Sequence, residues 1–131
     1  MEIKIIQEVK REVLEDIFVT ALEGGSNYWY YLHDDAVKAI RKAVPESEDP
    51  YLSTAILKAI LDHDVKVFIN DAENEDDVIG VVTRGTMQSR LQILADSECK
   101  WALDKHIREE GDAYSADIVF QYLAMGEVIY G

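Results

Sequence analysis

Residues 65–83 read VKVFINDAENEDDVIGVVT, and this stretch decides the class of fold. Val65–Asn70 and Val78–Thr83 are two short runs rich in β-branched residues, and the polar turn DAENEDD separates them. That pattern spells an antiparallel hairpin. On both sides of it apolar residues recur at helical spacing instead. The expected class is therefore α+β, mainly helical, with about five helices and a small antiparallel hairpin or sheet.

Working outward toward the first residue, Asp49-Pro50 is a helix start, an acidic cap followed by proline at the first helical position. The helix carries Leu52, Ile56, Leu57, Ile60 and Leu61 and ends near Asp62. Pro45 closes a shorter helix that Asp34 or Asp35 caps and that runs through Ala43, with Val37, Ile40 and Val44 inward. Tyr28-Trp29-Tyr30-Tyr31 favours extended chain. Before it, Val13, Leu14, Ile17, Phe18, Ala21 and Leu22 define an amphipathic helix from Lys10 that stops at Gly24-Gly25. Residues 2–9, EIKIIQEV, read as a short strand or an extended lead-in.

In the other direction a helix is expected from Thr86 to Ala95, continuing or restarting at Ser97 and running to Glu110. Gly111 breaks the pattern. A last helix spans Ala113 to Met125, stops at Gly126, and leaves a short extended tail. At 131 residues the chain fits one domain, 1–131, that buries its own core.

The net charge of −13 argues against docking on the outside of DNA or RNA, where Lys and Arg must neutralise phosphates. It disfavours an anionic membrane for the same reason. A basic protein surface, or a small ligand held by local chemistry, remains natural. The opening MEIKIIQEVKREV lacks a signal peptide's apolar stretch, and the single Cys99 fits a reducing compartment. A cytoplasmic protein is the expectation.

Two places break local rules. Glu23 sits in the last turn of a helix, facing the negative end of its dipole. Gly24 and Gly25 then allow positive φ and close approach, and Ser26, Asn27, Tyr28 and Trp29 supply donors and flat faces. A glycine cap followed by core aromatics is the plain structural explanation. In the last helix Asp117 and Gln121 share a face among Ile118, Val119, Phe120, Tyr122 and Leu123. If that helix is buried all round, Asp117 needs a partner or a function.

Other motifs fall short. The double glycine matches neither phosphate-loop pattern. The turn Asp71–Asp77 fails the EF-hand pattern, with no glycine at its sixth position and Val82 where a bidentate Glu is required. It reads as a solvated tip, or as a patch that imitates phosphates toward a basic protein. His33, His63 and His106 are far apart in sequence, so no metal site is expected, and no cofactor motif is present. Arg84 and Arg90 flank a helix start where an anion could sit, or are ordinary surface arginines.

TALEGGSNYWYYL near the start and DAYSADIVFQYLAMGEVIYG at the end together resemble a family of short proteins of tailed bacteriophages and prophages. Its members carry an A-L-E-G-G-x-x-Y-W segment and close with D-A-x-x-A-D-x-x-x-Q and G-x-x-Y-G. The matching residues here are Glu23, Gly24, Gly25, Tyr28 and Trp29, then Asp112, Ala113, Ala116, Asp117, Gln121, Gly126, Tyr130 and Gly131. The resemblance implies a phage-encoded accessory protein acting in the host cytoplasm, and it joins the two anomalies into one site.

The leading expectation is a non-enzymatic binder of a small, nucleotide-like ligand, such as a host defence signal. Its pocket would comprise Glu23, Gly24, Gly25, Asn27, Tyr28, Trp29, Asp117 and Gln121. The alternatives are an acidic mimic of nucleic acid that blocks a basic host protein, a structural or assembly protein with a homo-oligomer contact through Tyr28–Tyr31 and Val128–Tyr130, and, last, an enzyme using Glu23 and Asp117 as an acid–base pair.

Overall fold

The computed structural model describes residues 1–131. Six α-helices surround a small sheet: α1 (Arg11–Thr20), α2 (Asp34–Ala43), α3 (Leu52–His63), α4 (Arg84–Ala95), α5 (Lys100–Ile107) and α6 (Ala113–Met125). The strands are β1 (Tyr30–Tyr31), β2 (Val67–Asp71) and β3 (Val78–Val82). They form one antiparallel sheet with β2 in the middle. The fold is α+β and mainly helical, as expected.

The hairpin 65–83 is present, with Val67 opposite Val82 and Ile69 opposite Gly80, and its register shifts at Ile69/Asn70. Val67 and Ile69 face inward and Phe68 outward, the alternation of a sheet covered on one face. Asn70 closes the turn by donating its side-chain amide to the Glu75 carbonyl at 2.7 Å. The aromatic run adds the third strand, where Tyr30 pairs with Asp71 and Tyr31 with Asn70.

Helix α6 is the axis of the core. Every residue from Ser115 to Ala124 is buried, with α1, α4, α5 and β3 packed around it. Such a helix needs apolar residues on all sides, and Ala116, Ile118, Val119, Phe120, Leu123 and Ala124 supply them. It crosses β3 so closely that a methyl group on Gly80 would lie 2.6 Å from the Ala124 carbonyl oxygen. Its ends are well capped. Asp112 and Ser115 form a reciprocal capping box, and Gly126 turns out of the helix at φ 82°.

Several boundaries differ from the sequence expectation, each for a local reason. Helix α3 begins at Leu52, because Asp49 acts from outside it. Its carboxylate accepts from the Tyr51 amide at 3.0 Å and the Thr54 hydroxyl at 2.6 Å, and it meets Lys58 at 3.1 Å. Helix α4 starts two residues before Thr86, since Thr83 is its cap and Thr86 reaches back to it. Between α4 and α5 the Ser97 hydroxyl caps the Cys99 amide at 3.0 Å, so the chain turns there and α5 runs only to Ile107. Residues 1–9 form an extended lead-in with no strand partner.

A buried carboxylate clasp and the aromatic ledge above it

Helix α1 does not end at the double glycine in the ordinary way. Residues Ala21–Gly25 continue it as one π turn, in which the Ser26 amide reaches back to the Ala21 carbonyl at 2.8 Å. Single π turns of this kind recur at functional sites. The positive φ that the two glycines allow is not used, since among the glycines only Gly126 adopts it. Gly25 serves close approach instead: a methyl group there would overlap the Ala113 carbonyl oxygen at the start of α6. Gly24 faces open space.

The wide turn delivers Ser26, Tyr28 and Trp29 to Asp117. One carboxylate oxygen accepts from the Ser26 hydroxyl at 2.8 Å and the Trp29 indole N–H at 2.7 Å. The other accepts from the Tyr28 hydroxyl at 2.5 Å and the Gln121 amide at 3.2 Å. Two donors on each oxygen offset the cost of burying the group. Gln121 in turn holds the tail. Its carbonyl accepts from the Ile129 and Tyr130 amides, both at 2.9 Å, and its amide donates to the Tyr130 carbonyl at 3.0 Å. A side chain thus takes the place of a neighbouring strand. The Tyr130 ring closes the assembly by stacking on Trp29, with centroids 5.3 Å apart and planes 9° from parallel.

The expected site residues therefore separate into two sets. Trp29, Asp117 and Gln121 are buried together, and Tyr28 reaches them through its hydroxyl. Glu23, Gly24 and Asn27 stay at the surface, and Gly25 is half-buried under α6. Glu23 is not among the partners of Asp117, so the acid–base pair considered for an enzyme does not form. Its carboxylate acts on Tyr30, whose hydroxyl donates to the Leu22 carbonyl at 2.5 Å. Trp29, Tyr30 and Tyr130 are spent on each other and on the core, while Val128 and Ile129 stay at the surface.

Tyr28 is the exception. Its ring is 54% exposed while its hydroxyl is fixed on Asp117. Tyr114, in the first turn of α6, lies near enough to act on that hydroxyl, and it packs on Trp101 of α5 with centroids 5.8 Å apart. Tyr114 and Trp101 are 63% and 43% exposed. The exposed rings of Tyr28, Tyr114 and Trp101 make up an aromatic ledge. Sequence reading missed Tyr114 and Trp101, because Tyr114 falls on an unmatched position of the D-A-x-x-A-D motif and Trp101 lies in no motif.

The tyrosines carry the electrostatic signature of this arrangement. Burial, the hydrogen bond to Asp117 and its charge push Tyr28 up to about 12. Burial, with Glu23 adding, lifts Tyr30 to about 12 as well. A folded value above the unfolded one of about 10 means that the native state holds these protons longer. Their contribution to stability is complete below pH 10 and is lost as pH rises through 12. Phenolate absorbance during an alkaline titration is expected to show a late class of tyrosines that ionises together with unfolding. Ionisation of all seven at the ordinary value would contradict this.

A second chain of polar side chains, buried at His106 and Ser115, was also missed. His106 lies between Asp16, with Nδ1 2.8 Å from its carboxylate, and Ser115, whose Oγ is 2.9 Å from Nε2. The order matches a hydrolytic triad. Ser115 is completely buried and its hydroxyl belongs to the α6 capping box, so the chain ties α1, α5 and α6 together and presents no nucleophile. Gly111 is required beside it, because a methyl group there would overlap the imidazole.

Of the arginines considered for an anion, Arg90 is used on the Val81 and Leu123 carbonyls at 3.1 and 2.9 Å. Arg84 reaches the Leu61 carbonyl at 3.3 Å and Asp64 at 3.5 Å. No group of three or more His, Cys, Asp and Glu side chains is arranged to hold a metal ion. No helix is long and apolar enough to cross a membrane. Two grooves, of about 610 and 420 Å³, lie away from the clasp. No family model, curated protein or solved structure matches this chain.

Proposed function

We propose that the protein is a non-enzymatic accessory protein, phage-encoded as its two motifs suggest, that binds a small planar, nucleotide-like ligand on the aromatic ledge. The reading rests on one observation: Asp117 clamps the Tyr28 hydroxyl while the ring stays open to solvent, near the exposed Tyr114–Trp101 pair. Monomeric proteins seldom leave large aromatic rings grouped at the surface, and fixed rings stack on flat ligands at little cost in entropy. Glu23 and Asn27 supply an acceptor and an amide for the ligand's edge. In this proposal Asp117, Trp29 and Gln121 build the ledge from beneath and do not touch the ligand. The charge of −13 selects a ligand whose base outweighs its phosphate, such as a nucleoside or a cationic base.

Tryptophan fluorescence tests this directly, since Trp29 is buried and Trp101 is the ring at the surface. A panel of nucleosides and nucleotides is expected to include a compound that quenches Trp101 saturably, with affinity falling about tenfold or more in Tyr114→Ala. A panel that leaves both fluorescence and melting temperature unchanged would rule the reading out.

A second reading is favoured by a separate observation. The carboxylates of the Asp71–Asp77 turn gather at the same end of the sheet as Asp34 and Asp35. His33 lies 3.6 Å from Asp35 and 3.5 Å from Asp76, and Glu75, Asp34 and Asp76 together raise Tyr31. In this reading the face engages a basic host protein in place of nucleic-acid phosphates. Neutralising Glu73, Glu75, Asp76 and Asp77 would then weaken binding to a basic peptide far more than neutralising four carboxylates elsewhere, and more so at low salt.

A further inference from the structure

The first nine residues leave an apolar strand unused. Ile3, Ile5 and Ile6 are 77%, 81% and 98% exposed, and the backbone of residues 2–9 makes no hydrogen bond of its own. An exposed extended stretch of this kind is a template for pairing with another strand. Ile3, Ile5, Gln7 and Val9 line the groove of about 610 Å³ above Leu14, Met87 and Leu103. Glu8 lines it as well, whereas Glu2, Lys4, Ile6 and Lys10 do not.

The even face is complementary to itself. When two copies of the stretch are laid antiparallel about a two-fold axis through Ile6, Lys4 stands opposite Glu8, Glu2 opposite Lys10, and Ile6 opposite Ile6. On the odd face the same register sets Ile3 opposite Val9 and Ile5 opposite Gln7. Directly opposed residues in an antiparallel pair share a face, and opposite charges there attract. Moving the axis to Ile5 places Glu2 opposite Glu8 and Lys4 opposite Ile6, which loses every ion pair. A register is thus selected by charge. Both odd faces then lie on one side of the ribbon, and a C2 contact of this kind closes without leading to fibres.

We propose that residues 2–10 form an intermolecular antiparallel ribbon, centred on Ile6, that joins two copies of this chain into a dimer. The surface is distinct from the aromatic ledge, and neither proposal requires the other. Sedimentation velocity on the full chain, at concentrations up to about 0.5 mM, tests it with two charge variants. The unchanged chain is expected to dimerise, Lys4→Glu to weaken the dimer about tenfold or more by setting Glu against Glu8 twice, and Lys4→Glu combined with Glu8→Lys to restore it. Lys4 is exposed and unpaired and Glu8 is half of no ion pair within the chain, so circular dichroism and melting temperature are expected to stay the same in all three proteins. A chain that stays monomeric over the whole range would overturn the proposal. So would a single variant that dimerises as the unchanged chain does, or a double variant that fails to regain the dimer.

Discussion

Asp117→Ala is expected to lower the unfolding free energy by about 3–5 kcal/mol. The change removes the acceptor of four donors at once, leaving the Trp29 indole N–H and the Ser26 hydroxyl buried beside a cavity. For a domain of this size the loss corresponds to a fall of roughly 10–20 °C in melting temperature. Asp117→Asn keeps the volume but turns an NH2 group toward donors, and is expected to cost about 2–4 kcal/mol. Tyr28→Phe, with its ring at the surface and one bond lost, is expected to cost only about 1 kcal/mol. Urea unfolding followed by the fluorescence of buried Trp29 checks all three. If Asp117 were a ligand contact held open at the surface, its removal would leave stability nearly unchanged.

The second large effect separates two adjacent glycines. Gly25→Ala is expected to destabilise by about 2–3 kcal/mol, because its methyl group meets the backbone of Ala113 and neither the π turn nor the capped start of α6 moves easily. Gly24→Ala meets nothing within 4 Å and has no positive φ to forbid it. It is expected to be neutral, or to stabilise by about 0.5 kcal/mol through the lost freedom of the unfolded chain. Thermal melts of the two proteins side by side decide the matter. Equal effects would mean that the glycines act through flexibility and not through packing.

How much of this could be read in the sequence depends on whether the determinant is local. The hairpin was legible because β-branched runs flank a polar turn, and α6 because Asp112 and Gly126 mark its ends. The meeting of Tyr28 and Trp29 with Asp117 and Gln121 follows from two motifs, one at each end of the chain. Their geometry does not. Glu23 looked like a member of the set because it breaks the helix-dipole rule, yet the π turn points it outward. A π turn follows from tertiary packing, here of Gly25 on Ala113, and has no sequence signature of its own. The tail clasp was invisible for a similar reason, since Gln121 pairs with backbone groups and any residue at position 129 presents the same amide. His106 has no local partner in the sequence to mark it, because Asp16 and Ser115 come from two other helices.

The same distinction explains why the two rule-breaking segments appear together. A buried carboxylate on a helix packed from every side is costly unless donors are brought to it. The loop that brings them must pass close to α6, which needs Gly25, and must turn widely, which the π segment provides. Structure and proposed function then meet at one residue, because the hydroxyl that completes the clasp belongs to the ring that opens the ledge.

The central claim, that Asp117 works by accepting from the residues of the loop, is tested most directly by a double-mutant cycle between Asp117→Ala and Trp29→Phe. Unfolding free energies of the four proteins are compared, so that the cavity left by the indole cancels. A coupling of about 1.5–3 kcal/mol is the expected result for a buried, charge-assisted bond of 2.7 Å. Additivity to within about 0.5 kcal/mol would contradict the account.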